Sequence, residues 1–233
     1  MLPCPTRLFL VPAGALLLTL GSLPAWADRP LVSETADVIG GDACQIESGL
    51  ARLTASGVPS ATVTDVLGSC GIGGHSQLGI SLGTSRQAGA SDWSVGLGGK
   101  TTLRMPADGV IGFAVAYGIT VDKVSGQGWR HEGTRLFGVA TQEFAPGLLG
   151  HLNLGWLRTE SDRLNTTTWS IGFEGDGPLR WAADVFGDDR GRPWLSAGVV
   201  VPIADKISAN LAYAQQFERP RVHQWTLGFK VEF

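Results

Sequence analysis

Charge, cysteine and long apolar runs are all scarce in this sequence of 233 residues. Only 17% of the residues are charged, against about 25% in a typical soluble domain. The formal net charge is −3 and no run of lysine or arginine occurs, so nucleic acid is not an expected partner. Beyond residue 27 no apolar run approaches the roughly 20 residues of a membrane-spanning helix, which excludes helical membrane spans.

The sequence has three cysteines, and they offer no metal site. Cys4 lies ahead of the N-terminal apolar run and is expected to be removed with it. An oxidising periplasm allows a disulfide between the other two, Cys44 and Cys70, and an even pair in an exported chain favours that bond over two unpaired thiols. Because no third cysteine or nearby histidine completes a ligand set, we expect neither a metal nor another cofactor.

The first 27 residues have the pattern of a secretory signal peptide. Arg7 is followed by the apolar run Leu8–Leu20, and Ala25 and Ala27 place small side chains just before a cleavage site. The apolar run is too short to cross a bilayer. We therefore expect cleavage before Asp28 and export of the remainder.

Glycine is abundant, with 33 residues, and much of the chain alternates between apolar residues and small or polar ones. The last strand shows this alternation most clearly, and a period of two places its apolar side chains on one face. Its apolar set is Trp225, Leu227, Phe229, Val231 and Phe233. An alternating strand that ends in phenylalanine resembles the signal by which the barrel assembly machinery recognises outer-membrane proteins.

Alternating runs of about ten residues recur from Cys44 to the C terminus, separated by Gly, Pro or Asp. We count about twelve, and an even number suits a bacterial barrel with both termini in the periplasm. A soluble lipocalin-like barrel or a sandwich could share the alternation, but would need neither a terminal phenylalanine nor aromatic residues at both membrane interfaces. We predict an all-β fold, a transmembrane antiparallel barrel of about twelve strands with up-and-down topology.

The expected loop lengths differ between the two ends of the barrel in the direction that this topology requires. Connections after even-numbered strands have at most about five residues, whereas residues 122–133, after an odd-numbered strand, form a loop of about twelve. The expected division of the chain is a cleaved signal peptide at 1–27, a periplasmic N-terminal segment at 28–41 and an outer-membrane barrel at 42–233.

The inner face of the predicted barrel has a wall of small residues and a few polar side chains. The polar candidates for the lumen are Lys100, Arg104, His151, Asn153, Glu174, Arg180, Asp184, Lys230 and Glu232. One interpretation is a lumen that passes or holds a small solute. The alternative is that these charges pair across neighbouring strands and plug the barrel, which we expect in particular for Glu174, Arg180 and Asp184.

Catalysis is not expected. A lipid hydrolase of the outer membrane needs a histidine and a serine facing lipid near one rim. The chain beyond residue 27 has His75, His131, His151 and His223, but neither an H-x-S pair nor a G-x-S-x-G motif.

Several segments resemble a known family. They are WAADVFGDDRGRPWLSAGV (Trp181–Val199), ANLAYAQQFERPR (Ala209–Arg221), GKTTL (Gly99–Leu103), APGLLGHLNLGW (Ala145–Trp156) and the strand that ends at Phe233. They are similar to the proteobacterial outer-membrane proteins grouped with the phenol meta-cleavage pathway. The resemblance implies an outer-membrane barrel that takes up hydrophobic or aromatic compounds, and it assigns no binding residue.

The sequence therefore predicts a monomeric channel or uptake porin in the outer membrane of a Gram-negative bacterium. Its expected partners are the lipid bilayer, the barrel assembly machinery and a small solute. The runner-up is a closed, non-conducting barrel with an interaction or envelope-structural role, and a lipid hydrolase comes third.

Overall fold

Twelve antiparallel strands close into one barrel in the computed structural model, which describes residues 31–177, 179–217 and 221–233. Each strand pairs with the next along the chain, and the last pairs with the first. The strands are β1 (Cys44–Ala55), β2 (Val58–Ile72), β3 (Ser76–Gln87), β4 (Ala90–Arg104), β5 (Gly112–Lys123), β6 (Trp129–Ala145), β7 (Leu148–Thr159), β8 (Leu164–Gly175), β9 (Arg180–Asp188), β10 (Trp194–Ala204), β11 (Ile207–Gln216) and β12 (Val222–Glu232). The predicted fold class is confirmed. The predicted signal peptide, residues 1–27, lies outside the described residues.

The barrel is apolar outside and mostly polar inside, the reverse of a soluble protein. Large apolar side chains are exposed on every strand, for example Leu82 on β3 and Leu154 on β7. The side chains between them point inward, where Ser81 and Asn153 are buried. An apolar surface that encircles the molecule exceeds the patches that soluble monomers expose, and it suits contact with lipid on all sides. Within the described residues, no helix is long and apolar enough to cross a membrane.

Strand β12 closes the barrel against β1. The amides of Cys44 and Phe233 each donate to the carbonyl oxygen of the other residue, both at 2.9 Å. Cys44 is also joined to Cys70 at the end of β2 by a disulfide, the pairing expected from the sequence. The five apolar residues of the predicted assembly signal are all exposed on the outer face. We call the end where β1 begins and β12 finishes the proximal end, and the opposite end the distal end.

The predicted difference in loop length largely disappears, because the strands extend into the predicted loops and the longest of these, residues 122–133, shortens to residues 124–128. The distal turns between β1 and β2 and between β3 and β4 are only residues 56–57 and 88–89, whereas the proximal connection between β4 and β5 is longer, residues 105–111. Ala88 and Gly89 both have positive φ, as a two-residue type I′ hairpin requires. Loops read from composition therefore overestimated the distal connections.

The N-terminal segment corrects a second expectation. Residues 28–41 were placed outside the barrel, on the periplasmic side. From residue 31 to residue 39 the chain instead lies inside the lumen, where Leu31, Ser33 and Ala36 are buried. The segment enters at the proximal end, because the amide of Ile39 donates to the side chain of Gln77 at the start of β3. We call residues 31–39 the plug.

Candidate functional site

The candidate site is the lumen, and the plug fills its proximal half. An extended segment inside a closed barrel cannot add to the sheet, since the backbone groups of the wall already pair with neighbouring strands. Its own amides and carbonyl oxygens must still find partners once they leave water. Polar side chains that point inward from the strands supply those partners.

Asp184, near the middle of β9, binds the start of the plug. Its Oδ2 atom accepts hydrogen bonds from the amides of Val32, at 2.5 Å, and Ser33, at 3.1 Å. A carboxylate that accepts two backbone amides makes charge-assisted bonds, which are stronger than neutral ones. Gly172 on the neighbouring strand β8 leaves room for this contact, because an added Cβ there would lie 2.7 Å from Ser33 Oγ.

Asn153 on β7 pairs with the plug in the way that one peptide group pairs with another. Its Oδ1 accepts from the amide of Glu34 at 2.5 Å, and its Nδ2 donates to the carbonyl oxygen of the same residue at 3.0 Å. Two threonine hydroxyls bind the backbone of Ala36 in a similar way. Thr141 Oγ1 accepts from the amide of Ala36 at 2.8 Å, and Thr102 Oγ1 donates to the carbonyl oxygen of Ala36 at 2.6 Å.

Lys100 and Glu34 form a buried ion pair between wall and plug. Lys100 Nζ lies 3.4 Å from Glu34 Oε2, and both side chains are less than a tenth exposed. Lys100 also donates to the carbonyl oxygen of Thr35 at 2.9 Å. Burying both charges is costly, so the pair contributes orientation more than stability, while the loss of one partner is strongly unfavourable.

Small inner residues make space where the plug passes close to the wall. Ala36 is buried against Ala114 on β5 and Val139 on β6. At the proximal mouth, an added Cβ on Gly71 would overlap the carbonyl oxygens of Ile39 and Gly40. The wall of small residues expected for solute passage is therefore, in this conformation, partly a seat for the plug.

Eight of the nine predicted lumen residues divide into three groups. Lys100, Asn153 and Asp184 contact the plug. His151, Glu174 and Arg180 pair among themselves beside it, with His151 Nε2 3.4 Å from Glu174 Oε1 and Arg180 Nη2 3.6 Å from Glu174 Oε2. Lys230 and Glu232 form an ion pair at the proximal mouth, at 2.9 Å.

The expected pairing among Glu174, Arg180 and Asp184 is half correct. Glu174 pairs with Arg180, but Asp184 binds the plug amides instead. Arg104 does not line the lumen as expected. A bulge after Thr102 pairs Arg104 with Phe113, whose ring faces outward, and the arginine is exposed at the proximal rim.

One side of the distal half of the lumen is apolar, whereas Thr166 and Gln216 are buried polar residues elsewhere in that half. Trp194, at the distal start of β10, is only 3% exposed and stacks on Phe186 of β9 with ring centroids 6.1 Å apart. Leu53, Ala61, Ala214 and Val222 bury their side chains against it. We call these six residues the distal cluster. The burial of Trp194 inside the lumen was not predicted from the sequence.

Several plug contacts were missed by the sequence analysis, notably Glu34, Gln77, Thr102 and Thr141. The three wall residues alternate with outward apolar residues, so strand parity could have identified them. Glu34 lies in a stretch without periodicity and gave no such signal.

The histidines do not form a hydrolytic site in the described part of the chain. His223 lies on the outer face, where its Nδ1 is 2.6 Å from the hydroxyl of Tyr213, and no serine hydroxyl bonds to it there. His151 is buried next to the plug, with Nδ1 3.0 Å from Thr141 Oγ1. Among the same described residues, no three His, Cys, Asp or Glu side chains come together in a way that could hold a metal ion.

One protein-family model matches residues 15–233 and is described as Uncharacterised conserved protein UCP029691. No curated protein sequence matches the chain. Since the matching model is not one for phenol meta-cleavage proteins, that resemblance stays a prediction.

Solved structures of similar fold include porins and a channel. The KdgM porin in complex with disordered oligogalacturonate has a TM-score of 0.60 and 8% identity, over 81% of this chain and 99% of that one. The NanC porin has a TM-score of 0.55 and 10% identity, over 80% and 98%. The CymD monoaromatic hydrocarbon channel has a TM-score of 0.51 and 9% identity, over 84% and 89%. At such identities the likeness establishes a shared fold.

Proposed function

Since this chain belongs to the family described as Uncharacterised conserved protein UCP029691, which names no activity, we propose its function from the barrel itself. The protein is a monomeric outer-membrane channel of a Gram-negative bacterium that passes small solutes when the plug leaves the proximal half of the lumen. The signal peptide exports it and the barrel assembly machinery folds it, with the proximal end towards the periplasm.

The observation that carries this proposal is what fills the lumen. A barrel sealed by its own wall would carry long inward side chains that meet in the middle. Here the proximal half is filled by a separate segment, held through hydrogen bonds to side chains such as Asp184 and Asn153. A lumen wide enough for a polypeptide segment is wide enough for a small solute once that segment has moved.

The strength of the plug contacts is compatible with release. A neutral hydrogen bond contributes about 0.5–1.5 kcal/mol net, because water replaces the lost partner. Both Asn153 and Glu34 can hydrate when they separate, whereas the backbone pairs of the wall hold all twelve strands together. The plug is therefore held less firmly than the strands of the wall.

The distal cluster supports an apolar or aromatic solute. Phe186, stacked on the buried Trp194, is a partly exposed ring at the end of the lumen that faces outside in the proposed orientation. Aromatic rings bind other rings and aliphatic groups through large apolar contact area. The same substrate class is implied by the resemblance to phenol meta-cleavage proteins, and CymD, a channel of similar fold, is described as a channel for monoaromatic hydrocarbons.

Conductance in planar bilayers and solute uptake by liposomes test the channel. Gly172→Val introduces side-chain atoms where Ser33 lies, and we expect it to displace the plug and raise conductance at least tenfold over the unmodified chain. Gly68→Val is the matched control, because an added Cβ at this strand glycine meets nothing within 4 Å. Aromatic solutes should enter liposomes that contain the Gly172 variant faster than sugars of similar size.

The runner-up, a closed barrel with an envelope role, makes the opposite prediction. If hydrogen exchange shows that Gly172→Val has released the plug while the bilayer stays silent to ions, sugars and aromatics, the channel proposal is wrong. The tight seat of the plug around Ala36 is the observation that favours this alternative.

A further inference from the structure

One row of side chains on the outer face carries two arginines at the distal end. Direct partners across five neighbouring strands connect them in the order Tyr213, Trp225, Arg52, Thr62 and Arg86, from β11 through β12, β1 and β2 to β3. Directly opposed residues in antiparallel strands point to the same side of a sheet. Trp225 is 55% exposed on the apolar surface, so the whole row faces outward. We call it the arginine row.

The two arginines of this row differ from Arg158, which lies near the distal end of β7. Arg52 donates to Ser60 Oγ at 3.0 Å. In the described ranges, no carboxylate lies within ion-pair distance of Arg52 or Arg86, and both side chains are exposed. Arg158, on the opposite wall, instead binds Glu160 at 2.9 Å. That hydrogen bond lowers the pKa of the Glu160 carboxyl, so its charge is retained and compensates the arginine.

The surroundings of the row identify where it lies relative to lipid. Trp225 and Tyr213 contact each other with ring centroids 4.9 Å apart, and such rings prefer the boundary between hydrocarbon and headgroups. Arg86 lies one residue before the end of β3, and Arg52 three before the end of β1. Both guanidinium groups can therefore extend towards the headgroup layer, as long cationic side chains do at membrane surfaces.

We propose that Arg52 and Arg86 bind the phosphate groups of lipopolysaccharide in the outer leaflet. This rests on the proposed placement in an outer membrane with the distal end outside. The planar guanidinium matches phosphate through paired hydrogen bonds, and no carboxylate of the described residues competes for either guanidinium. The two Cα atoms are separated by two strand spacings, about 10 Å. This separation suits a lipid with two phosphates better than a phospholipid with one.

The test compares lipopolysaccharide binding by the full-length protein, R52Q/R86Q and the matched control R158Q. We expect R52Q/R86Q to bind lipopolysaccharide at least tenfold more weakly in detergent, because charge-assisted hydrogen bonds to phosphate are lost. R158Q should stay within about twofold of the unmodified protein, since its charge is already compensated. R52K/R86K should recover part of the affinity, because lysine keeps the charge without the fork.

Two further measurements distinguish between the possible lipids and test the channel independently of lipid binding. Vesicles of phosphatidylglycerol should distinguish the variants much less than lipopolysaccharide does, and equal losses on both lipids would overturn the proposal. So would unchanged lipopolysaccharide binding by R52Q/R86Q. Conductance in bilayers free of lipopolysaccharide is recorded on the same samples, after a heat-dependent gel shift has shown that each variant is folded. A silent channel with arginine-dependent binding would count against the proposed function alone.

Discussion

The proximal half of the lumen and one side of its distal half are lined in different ways. In the proximal half, polar side chains such as Asp184 and Asn153 bind the backbone of the plug. In the distal half, Trp194 and Phe186 pack against apolar neighbours of the wall itself. This comparison shows that a residue whose side chain points into the lumen need not be polar. The inward positions that bind the plug backbone are polar, whereas those of the distal cluster, which pack against one another, are apolar.

The largest expected effect tests whether the distal cluster stabilises the barrel without involving the plug. Trp194→Ala should lower the free energy of unfolding by about 3–5 kcal/mol, because a large buried ring is lost. Amide exchange of residues 31–36 should stay unchanged. Denaturant unfolding in detergent and hydrogen exchange measure the two quantities, with Trp225→Ala on the lipid face as the control. Faster exchange in the plug would show that the two halves are energetically coupled and would contradict the prediction.

A second prediction concerns the buried ion pair of the proximal half. Lys100→Met removes the nearest counter-charge of the buried Glu34 carboxylate, while Arg135 still acts on that carboxylate, and we expect plug docking to weaken by about 3 kcal/mol. The double variant K100M/E34Q should recover part of that loss, because Arg135 then loses the Glu34 carboxylate. Hydrogen exchange of the plug amides gives the docking free energy. If single and double variants are equally impaired, the pair makes no specific contribution.

A third, smaller effect should separate the two hydrogen bonds of Asn153. Asn153→Ala removes both contacts with the backbone of Glu34, and we expect the amide of that residue to lose about 1–3 kcal/mol of protection. Asn153→Asp keeps the acceptor and removes the donor. The protection of the Glu34 amide in this variant should therefore lie between that of the unmodified protein and that of Asn153→Ala. Distal contacts around Trp194 should keep their near-ultraviolet dichroism in both variants. Equal protection in all three proteins would contradict the assigned contact.

The smallest effect is expected at the proximal mouth. Lys230 and Glu232 pair at 2.9 Å, but Glu232 is half exposed, so water and salt screen the attraction. Glu232→Ala should change thermal stability by less than about 1 kcal/mol. The comparison is between midpoints of heat-dependent gel mobility at low and high salt. A larger loss would place this pair among the contacts that hold the plug.

The sequence was sufficient to predict the fold because one rule, a period of two, applies along each strand. The alternation of Leu227 and Gly228 in β12 gave the outer and inner faces, and parity placed Lys100, Asn153 and Asp184 inside. The prediction that Arg104 lines the lumen failed because the bulge after Thr102 shifts the alternation of the strand by one residue. A bulge depends on how neighbouring strands pair, which the residues of one strand do not encode.

The plug could not be predicted for a different physical reason. Residues 31–39 form no strand, so they have no periodicity from which a buried face could be inferred. Their position follows from partners distant in sequence, such as Asn153 for Glu34 and Asp184 for Ser33. The polar wall was visible in the sequence, but an open lumen and an occupied one require the same inward polar residues.

The disulfide at the start of β1 makes the plug a tethered competitor of any solute. Cys44 is fixed to Cys70, and the chain from Leu31 to Ala43 has a contour length of about 45 Å when fully extended. A released plug therefore remains near its binding site at an effective concentration on the order of millimolar. A solute present at micromolar concentration must bind the lumen far more tightly than the plug does, or pass during the brief intervals before the tether restores the contact.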